Sequence, residues 1–548
     1  MPFDEGSRAV KFSQSPLLSQ GLPAWRSRLL LLGLLAAFAL LVGWSVYLQG
    51  FNSVFLQEKG ASRYSRVIEL SANRGRIMDR HGDVLAVSTP VKSVWAIPED
   101  AKLNPGQLRA LAGLLELDVR ELARKLGSDA DFVFVKRQIP PDLAERVAAL
   151  KLPGIHDQRE YRRYYPSAEV TAHMLGFTGA EDVESIRAPQ DGRDVLLALD
   201  AKIQYLAHSN LRQAIAENRA KAGGIVVLDA KTGEILALVN APTYNPNNRV
   251  KLAGAQLRNR ALTDTFEPWS TLKPFTAALA LEAGKYRADT LIQTAPGRLT
   301  IGSATIHDAH MHGMLSVAQV IQKSSNVGAA KMALSLPPQE MWAMLDSLGF
   351  GSPLKLGFPG EVGGRLRPFK KWQPIEQATM AYGHGISVTL MQLARAYLVF
   401  ARDGDLLPLS LTRLELPPAE GRPVFSKQTA HEVRAMLEMA VLPGGTAPKA
   451  QIAGYRVAGK TGTAHKIESG VYADKYIASF VGFAPASDPR LIVAVMIDEP
   501  AGAAYYGGDV AAPVFARVMA ASLRALGVAP DAPGLQASLE SPAVRESM

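Results

Sequence analysis

Hydrophobic positions are distributed unevenly along the chain, and the longest unbroken run comes early. From Leu29 to Leu48 no residue carries a charge. A helix needs about 20 such residues to cross a bilayer. Trp44 and Tyr47 stand near the far end, and Arg26 and Arg28 precede the run. Aromatic rings favour the membrane interface and basic residues stay on the cytoplasmic side. The pattern therefore predicts one anchor with its N-terminus inside and the rest of the chain outside. The run is longer than the apolar region of a cleaved signal peptide, about 7–15 residues, and no small-residue cleavage site follows it.

Beyond the anchor the periods mix. Apolar residues from Leu108 to Leu126 recur at helical spacing, Asp131–Ile139 alternates as a strand does, and Pro140–Leu150 opens with prolines as a helix start can. Composition shifts near Ala188–Asp194. After it, Ala201–Ala222 reads as a helix, and Gly223–Val239 as a hairpin turning at Lys231-Thr232-Gly233. A long helix-rich stretch follows. Then come strands in Tyr455–Ala464 and Tyr476–Ile497, a helix over Ala512–Leu526, and a polar tail. Early strands, central helices and late strands predict an α+β fold in which one antiparallel sheet carries packed helices. The expected divisions are a tail (1–28), the anchor (29–48), a non-catalytic domain (49–193), a second domain (194–528) and a C-terminal tail (529–548).

Composition narrows the chemistry. The chain has 548 residues, 47% hydrophobic and 20% charged, with room for two or three domains. Its net charge of +9 suits contact with an anionic surface. No zinc-finger or RNP motif accompanies it, so nucleic acid is not an expected partner. The absence of cysteine excludes disulfides, thiol catalysis and cysteine-held metal.

Three short motifs carry the candidate chemistry. Ser-x-x-Lys occurs at Ser270/Lys273 and Ser352/Lys355, Ser-x-Asn at Ser71/Asn73 and Ser324/Asn326, and Lys-Thr-Gly at 231–233 and 460–462. Alone, each is weak. One ordered set exists: Ser270/Lys273, then Ser324/Asn326, then Lys460-Thr461-Gly462. That order marks penicillin-recognising serine enzymes. Ser270 is expected in the first turn of a helix that stops at Gly284. Lys273 would stand beside it, its pKa lowered by burial and by the Lys460 charge so that a neutral amine can act as base. Ser324 and Asn326 are expected at another helix start, where both residue types also serve as simple caps. The small residues around Lys460 would let an extended peptide lie along the strand. His307, Asp308, His310 and His312 resemble metal ligands at irregular spacing, and no metal is expected there. No G-x-S-x-G sequence surrounds Ser270, which argues against a Ser-His-Asp triad.

With these motifs placed, the chain resembles the class B penicillin-binding proteins, in particular the septal, division-type peptidoglycan D,D-transpeptidases of Gram-negative bacteria. Longer strings carry the resemblance: ANRGRIMDRHGDVLAVS, REYRRYYPSAEVTAHMLGFTG, VIQKSSNVGAAKMAL and PIEQATMAYGHGISVTLMQLARAY. It implies an inner-membrane anchor, an elongated pedestal, and a periplasmic transpeptidase domain with a five-stranded sheet. Ser270 would attack the penultimate D-alanine of a stem peptide and Lys273 would take its proton. Ser324 and Lys460 would relay a proton to the leaving D-alanine, and Asn326 would bind the donor amide. Thr461, Gly462 and Thr463 would line the carboxylate site, with the N–H groups of Ser270 and Thr463 as oxyanion hole. A second stem's amine would complete the 4→3 cross-link. β-Lactams would acylate Ser270, no cofactor is implied, and division proteins including a lipid-linked glycan polymerase would be partners. Other readings are a D,D-carboxypeptidase or slow β-lactamase, and a catalytically weak β-lactam-binding scaffold. Two departures stand out: Trp269 and Ala168 occupy positions where the family usually has glycine. The pedestal is also shortened after Gly179, which suggests a specialised copy.

Overall fold

The computed structural model describes residues 24–47, 73–178 and 191–532, apart from 251, 417, 419 and 469. Most of both expected tails, and the stretch after Gly179 where the pedestal is expected to be shortened, lie outside the described residues. The chain divides into two units, the first comprising residues 1–70 and 182–189. In it, helix α1 spans Ala24–Val46. Its segment Arg28–Val46 is, among the described residues, the one helix long and apolar enough to cross a membrane.

The second unit begins with a small mixed sheet. Its strands are β1 (Ile77–Met78), β2 (Val84–Ala96), β3 (Val133–Ile139), β4 (Ile155–Tyr164) and β5 (Val195–Leu196). β2 pairs antiparallel with β1, β3 and β4, and β1 pairs parallel with β5. The helical pattern of Leu108–Leu126 proves to be two helices, Pro105–Leu115 and Val119–Leu126. Glu116 takes a left-handed φ of 52° and ends the first. The Asp118 carboxylate then caps the second, accepting from the N–H groups of Arg120 and Glu121 at 2.9 Å each. A cap residue competes with continued helix because its side chain replaces a backbone acceptor.

One buried carboxylate ties this sheet to the start of the helix Ala201–Glu217. Asp79 Oδ1 accepts from the N–H of His81 (2.8 Å) and of Asp83 (2.9 Å), and Oδ2 accepts from the N–H of Ala201 (3.1 Å). Arg80 pairs with Glu234 at 3.4 Å, and Arg413 donates to the Arg80 carbonyl at 2.9 Å.

The larger sheet is built from β6 (Ala222–Asp229), β7 (Ile235–Ala241), β8 (Ala458–Glu468), β9 (Val471–Ala484) and β10 (Leu491–Asp498). The order is β8-β9-β10-β6-β7, all antiparallel. β6, β7 and β10 are buried at every position. Alternate residues of a strand face opposite sides. Val226, Leu228, Ile492 and Ala494 accordingly join one core, with Phe275, Val320, Met391 and Val433 from the helix-rich middle. Ile225, Val227, Val493 and Val495 join the other, with Leu211, Phe515 and Val518 from the first and last helices of this domain. Burial on both faces explains the near-continuous apolar run in each strand. β8 lies at the edge. The start of the predicted C-terminal tail is docked: Asp531 accepts from the Arg456 N–H (2.7 Å) and the Ser487 hydroxyl (2.7 Å).

Candidate active site

Ser270 lies in a 3-10 turn, Trp269–Leu272, that feeds the α-helix Lys273–Glu282. It is thus one turn ahead of the α-helix in which its sequence pattern places it. Pro274 accounts for the tight lead-in: it has no N–H to satisfy and suits a first helical turn. Residues three apart eclipse in a 3-10 turn, so Lys273 stands over Ser270. Two side-chain hydrogen bonds help to hold the turn. Thr271 Oγ1 donates to the Pro268 carbonyl at 2.6 Å, and buried Tyr397 donates its hydroxyl to the Thr271 carbonyl at 2.8 Å. The helix ends before Gly284, left-handed at φ 66°, as expected.

Glycines flank the turn on both sides. A β-carbon on Gly462 would lie 2.9 Å from the Pro268 carbonyl oxygen, and one on Gly383 would lie 2.4 Å from both N and O of Trp269. Both are well inside ordinary contact, so the strand and the loop approach the backbone of this turn only because no side chain intervenes. Trp269 itself has φ 47°. This is the left-handed region that favours glycine, the residue the resemblance expects here.

Lys273 is fully buried. Its Nζ lies 2.9 Å from Ser270 Oγ and 3.0 Å from Ser324 Oγ. Burial foremost, then the Lys460 charge, hold its pKa well below the usual lysine value, against an opposing pull from Asp308. Lys460 is also fully buried, and burial lowers its pKa to about 7. Its Nζ lies 3.1 Å from Thr461 Oγ1.

The capping question at Ser324 has a structural answer. The N-cap of helix Asn326–Leu334 is Ser325, whose Oγ accepts from the Gly328 N–H at 2.9 Å. Ser324 instead closes the preceding helix, Val317–Lys323, with a left-handed φ of 61°. Its hydroxyl is thereby left to face Lys273. Asn326 Nδ2 donates to the His307 carbonyl at 2.8 Å. On β8, Thr461 Oγ1 meets Thr446 Oγ1 at 3.1 Å, and Thr463 Oγ1 accepts from the Gly507 N–H at 3.0 Å. Ser270, Lys273 and Ser324 thus meet directly, Lys460 is near enough for its charge to act on Lys273, Gly462 packs against Pro268 and Thr271, and Asn326 opens the helix that follows Ser324. Ser352 lies in a loop, Lys231 pairs with Asp488, and Ser71 lies outside the described residues.

Several contributors escape sequence reasoning. Asp308 accepts from Ser325 Oγ (2.7 Å) and from the Val327 N–H (2.9 Å), so it anchors the Ser-x-Asn segment. Its sequence signal is the histidine cluster, whose residue types resemble metal ligands although no metal is expected there. Buried Glu267 accepts from the Gly385 N–H (2.7 Å) and from the Tyr472 hydroxyl (3.0 Å), and Tyr472 Oη lies 2.7 Å from His384 Nε2. Nothing in the local sequence of Glu267, Thr446 or Gly383 announces these contacts.

Comparison with known proteins agrees with this geometry. Residues 223–520 match the penicillin-binding protein transpeptidase domain, and residues 69–195 match the penicillin-binding protein dimerisation domain. The chain is 41% identical to the probable peptidoglycan D,D-transpeptidase PenA of Neisseria gonorrhoeae, covering 96% of this chain and 97% of that one. It is 39% identical to the peptidoglycan D,D-transpeptidase FtsI of Escherichia coli K12, covering 93% of each. Among solved structures, the apo transpeptidase domain of Burkholderia pseudomallei penicillin-binding protein 3 aligns with a TM-score of 0.57 and 48% identity. It covers 61% of this chain and 97% of that one. A buried lysine between two serine hydroxyls, on a chain that matches these proteins almost end to end, leaves one assignment: it belongs to the penicillin-binding proteins, in their class B transpeptidase branch.

Proposed function

We propose that this protein is a peptidoglycan D,D-transpeptidase that works through a serine acyl-enzyme. The observation that carries the reading is Lys273, fully buried and within 3.0 Å of the hydroxyls of both Ser270 and Ser324. A neutral amine there accepts the Ser270 proton as Oγ bonds to the carbonyl of the penultimate D-alanine. The oxyanion is held by the N–H groups of Ser270 and Thr463. The tetrahedral intermediate collapses, the peptide C–N bond breaks, and the terminal D-alanine leaves with a proton passed through Ser324 and Lys460. A second stem's amine then attacks the ester, restores the serine and forms the cross-link. Asn326 binds the donor amide. Lys460, Thr461 and Thr463, on a strand whose Gly462 keeps the edge slim, receive the terminal carboxylate. A β-lactam acylates Ser270 by the same route.

The apolar helix serves as an inner-membrane anchor. Arg26 and Arg28 at its N-terminal end favour an N-terminus in the cytoplasm and a periplasmic catalytic domain. We place the pedestal in residues 49–193 and the catalytic domain in 194–528, and we assign the protein to division-site wall synthesis beside a lipid-linked glycan polymerase.

The test uses detergent-solubilised full-length protein and a fluorescent penicillin, read as covalent label on a denaturing gel. Wild type is expected to label and Ser270→Ala not to. Folded wild-type protein that takes no label would defeat the reading. Stem-peptide turnover that releases D-alanine without cross-linked dimer would replace it with a carboxypeptidase.

A further inference from the structure

Two buried ring nitrogens beside Ser270 have no hydrogen-bond partner among the described residues: Nε1 of Trp269 and Nδ1 of His384. The rings meet edge to face with centroids 5.8 Å apart. The second nitrogen of His384 assigns its tautomer. Tyr472 donates its proton to Glu267 at 3.0 Å, so its oxygen is an acceptor toward His384 Nε2 at 2.7 Å. The ring proton therefore sits on Nε2, and Nδ1 is a lone-pair acceptor. Indole nitrogen is a donor only. An unmatched donor and an unmatched acceptor stand side by side, each carrying a desolvation penalty that nothing offsets. Trp269 bears a second penalty in its left-handed backbone. Residues held against strain at a cleft are candidates for a functional role.

The position of the pair relates it to substrate. Thr461, Thr463 and His465 share one side of β8 by alternation, and the His465 ring lies 6.4 Å from that of Trp269. A peptide with its terminal carboxylate at Lys460 and Thr461, running antiparallel to the strand edge, leads its upstream residues past His465. Two residues of strand advance about 7 Å. Trp269 also faces Tyr382 at 6.2 Å, whose ring lies 5.9 Å from Lys273 Nζ. The Trp269 side chain is only partly buried, so its ring borders the surface, and meeting a ligand requires the buried N–H to turn outward.

We propose that Trp269 is a specificity-determining residue, whose indole N–H and the Nδ1 of His384 together receive the C=O and N–H of one peptide amide upstream of the donor's terminal D-alanyl pair. A peptide amide presents one acceptor and one donor in a single planar group, which matches what the two rings leave unpaired. The inference rests on the transpeptidase reading above. It assigns the donor class as stem peptides with an amide at that spacing, in preference to short acyl-D-alanyl donors.

Two thioester donors test it on the full-length protein: an N-acyl-D-alanyl thioester, and the same thioester extended upstream by two peptide-linked residues. The readout is the ratio of kcat/KM for the long donor to that for the short one. Trp269→Phe keeps a ring and removes the N–H, and is expected to lower this ratio about tenfold, the size of one lost hydrogen bond in a desolvated site. His384→Phe should lower the same ratio. A ratio within twofold of wild type in both variants overturns the proposal, as does equal loss on both donors, which marks a purely structural role. If wild type acylates with neither donor, the transpeptidase reading fails and this inference with it. Turnover of both donors with an unchanged ratio removes the inference alone.

Discussion

Gly383 is packed directly against the backbone of Trp269: a β-carbon built on it would lie 2.4 Å from the tryptophan nitrogen and oxygen alike. Gly383 also has φ 84°, a conformation other residues rarely adopt. The loop and the nucleophile turn therefore form one rigid piece, joined by the Trp269 N–H to Gly383 carbonyl bond at 3.3 Å. Gly383→Ala is expected to destabilise the protein by about 2 kcal/mol or more. It should also slow acylation on the order of 100-fold by displacing Ser270. Thermal melting and penicillin-labelling rates measure both. An alanine variant that labels at the wild-type rate would show that the contact does not position the serine.

The two buried lysines set the pH dependence of acylation. Lys273 is held well below the ordinary lysine range, and Lys460 at about 7. In the proposed mechanism Lys273 must be neutral to act as base, whereas Lys460 would bind a carboxylate best when protonated. In the free enzyme, kcat/KM should therefore fall as pH rises through about 7 and Lys460 loses its proton. In kcat the same limb should move to higher pH, because a bound carboxylate stabilises the ammonium. Rates with a thioester donor between pH 5.5 and 9.5 test this. Coincident alkaline limbs in the two parameters would refute it.

Lys460 also links pH to stability. Its folded pKa of about 7 lies below the unfolded value of about 10.4. Between these values the unfolded chain binds the extra proton, so stability rises with pH across that window and is lost again as pH falls toward 7. Lys460→Met removes the proton site from both states and should flatten the rise. Melting temperatures at pH 7 and pH 9.5, compared between wild type and variant, read the difference directly.

Asp308 acts through others. It receives hydrogen bonds from Ser325 Oγ and the Val327 N–H, and its charge bears on Lys273. Asp308→Asn keeps an acceptor and removes the charge, and should lower the Lys273 pKa further with little loss of stability. Asp308→Ala loses both hydrogen bonds to the start of the helix Asn326–Leu334 and should cost about 1 kcal/mol. It should also slow acylation by both donors, as the Ser324–Asn326 segment loosens. A pH profile unchanged in Asp308→Asn would count against the electrostatic part of this role.

The two positions where the resemblance expects glycine, Ala168 and Trp269, have φ values of 42° and 47°. The chain keeps a left-handed backbone and places side chains on it, at roughly 1 kcal/mol each. At Ala168 nothing in the structure explains the replacement.

What the sequence alone determined was local or ordered. An uncharged run from Leu29 marks a helix long and apolar enough to cross a membrane, because bilayer thickness sets a length. Continuous apolar stretches such as Ile225–Leu228 and Leu491–Ile497 mark strands buried on both faces. The order of three motifs selects Ser270 over Ser352 and Lys460 over Lys231 for the proposed site, because only one set has the required sequence. Tertiary structure decided the rest. Ser324 faces Lys273 because its neighbour Ser325 takes the cap, and Ser325 is held by Asp308, 17 residues away. Gly383 and Gly462 converge on Pro268–Trp269 from segments far along the chain. The pKa values of Lys273 and Lys460 depend on complete burial, and burial is a sum over many remote neighbours. Helix and strand periods report the few residues on either side of a position. They carry no information on which distant backbone will arrive within contact distance, and that is where the geometry of this site is set.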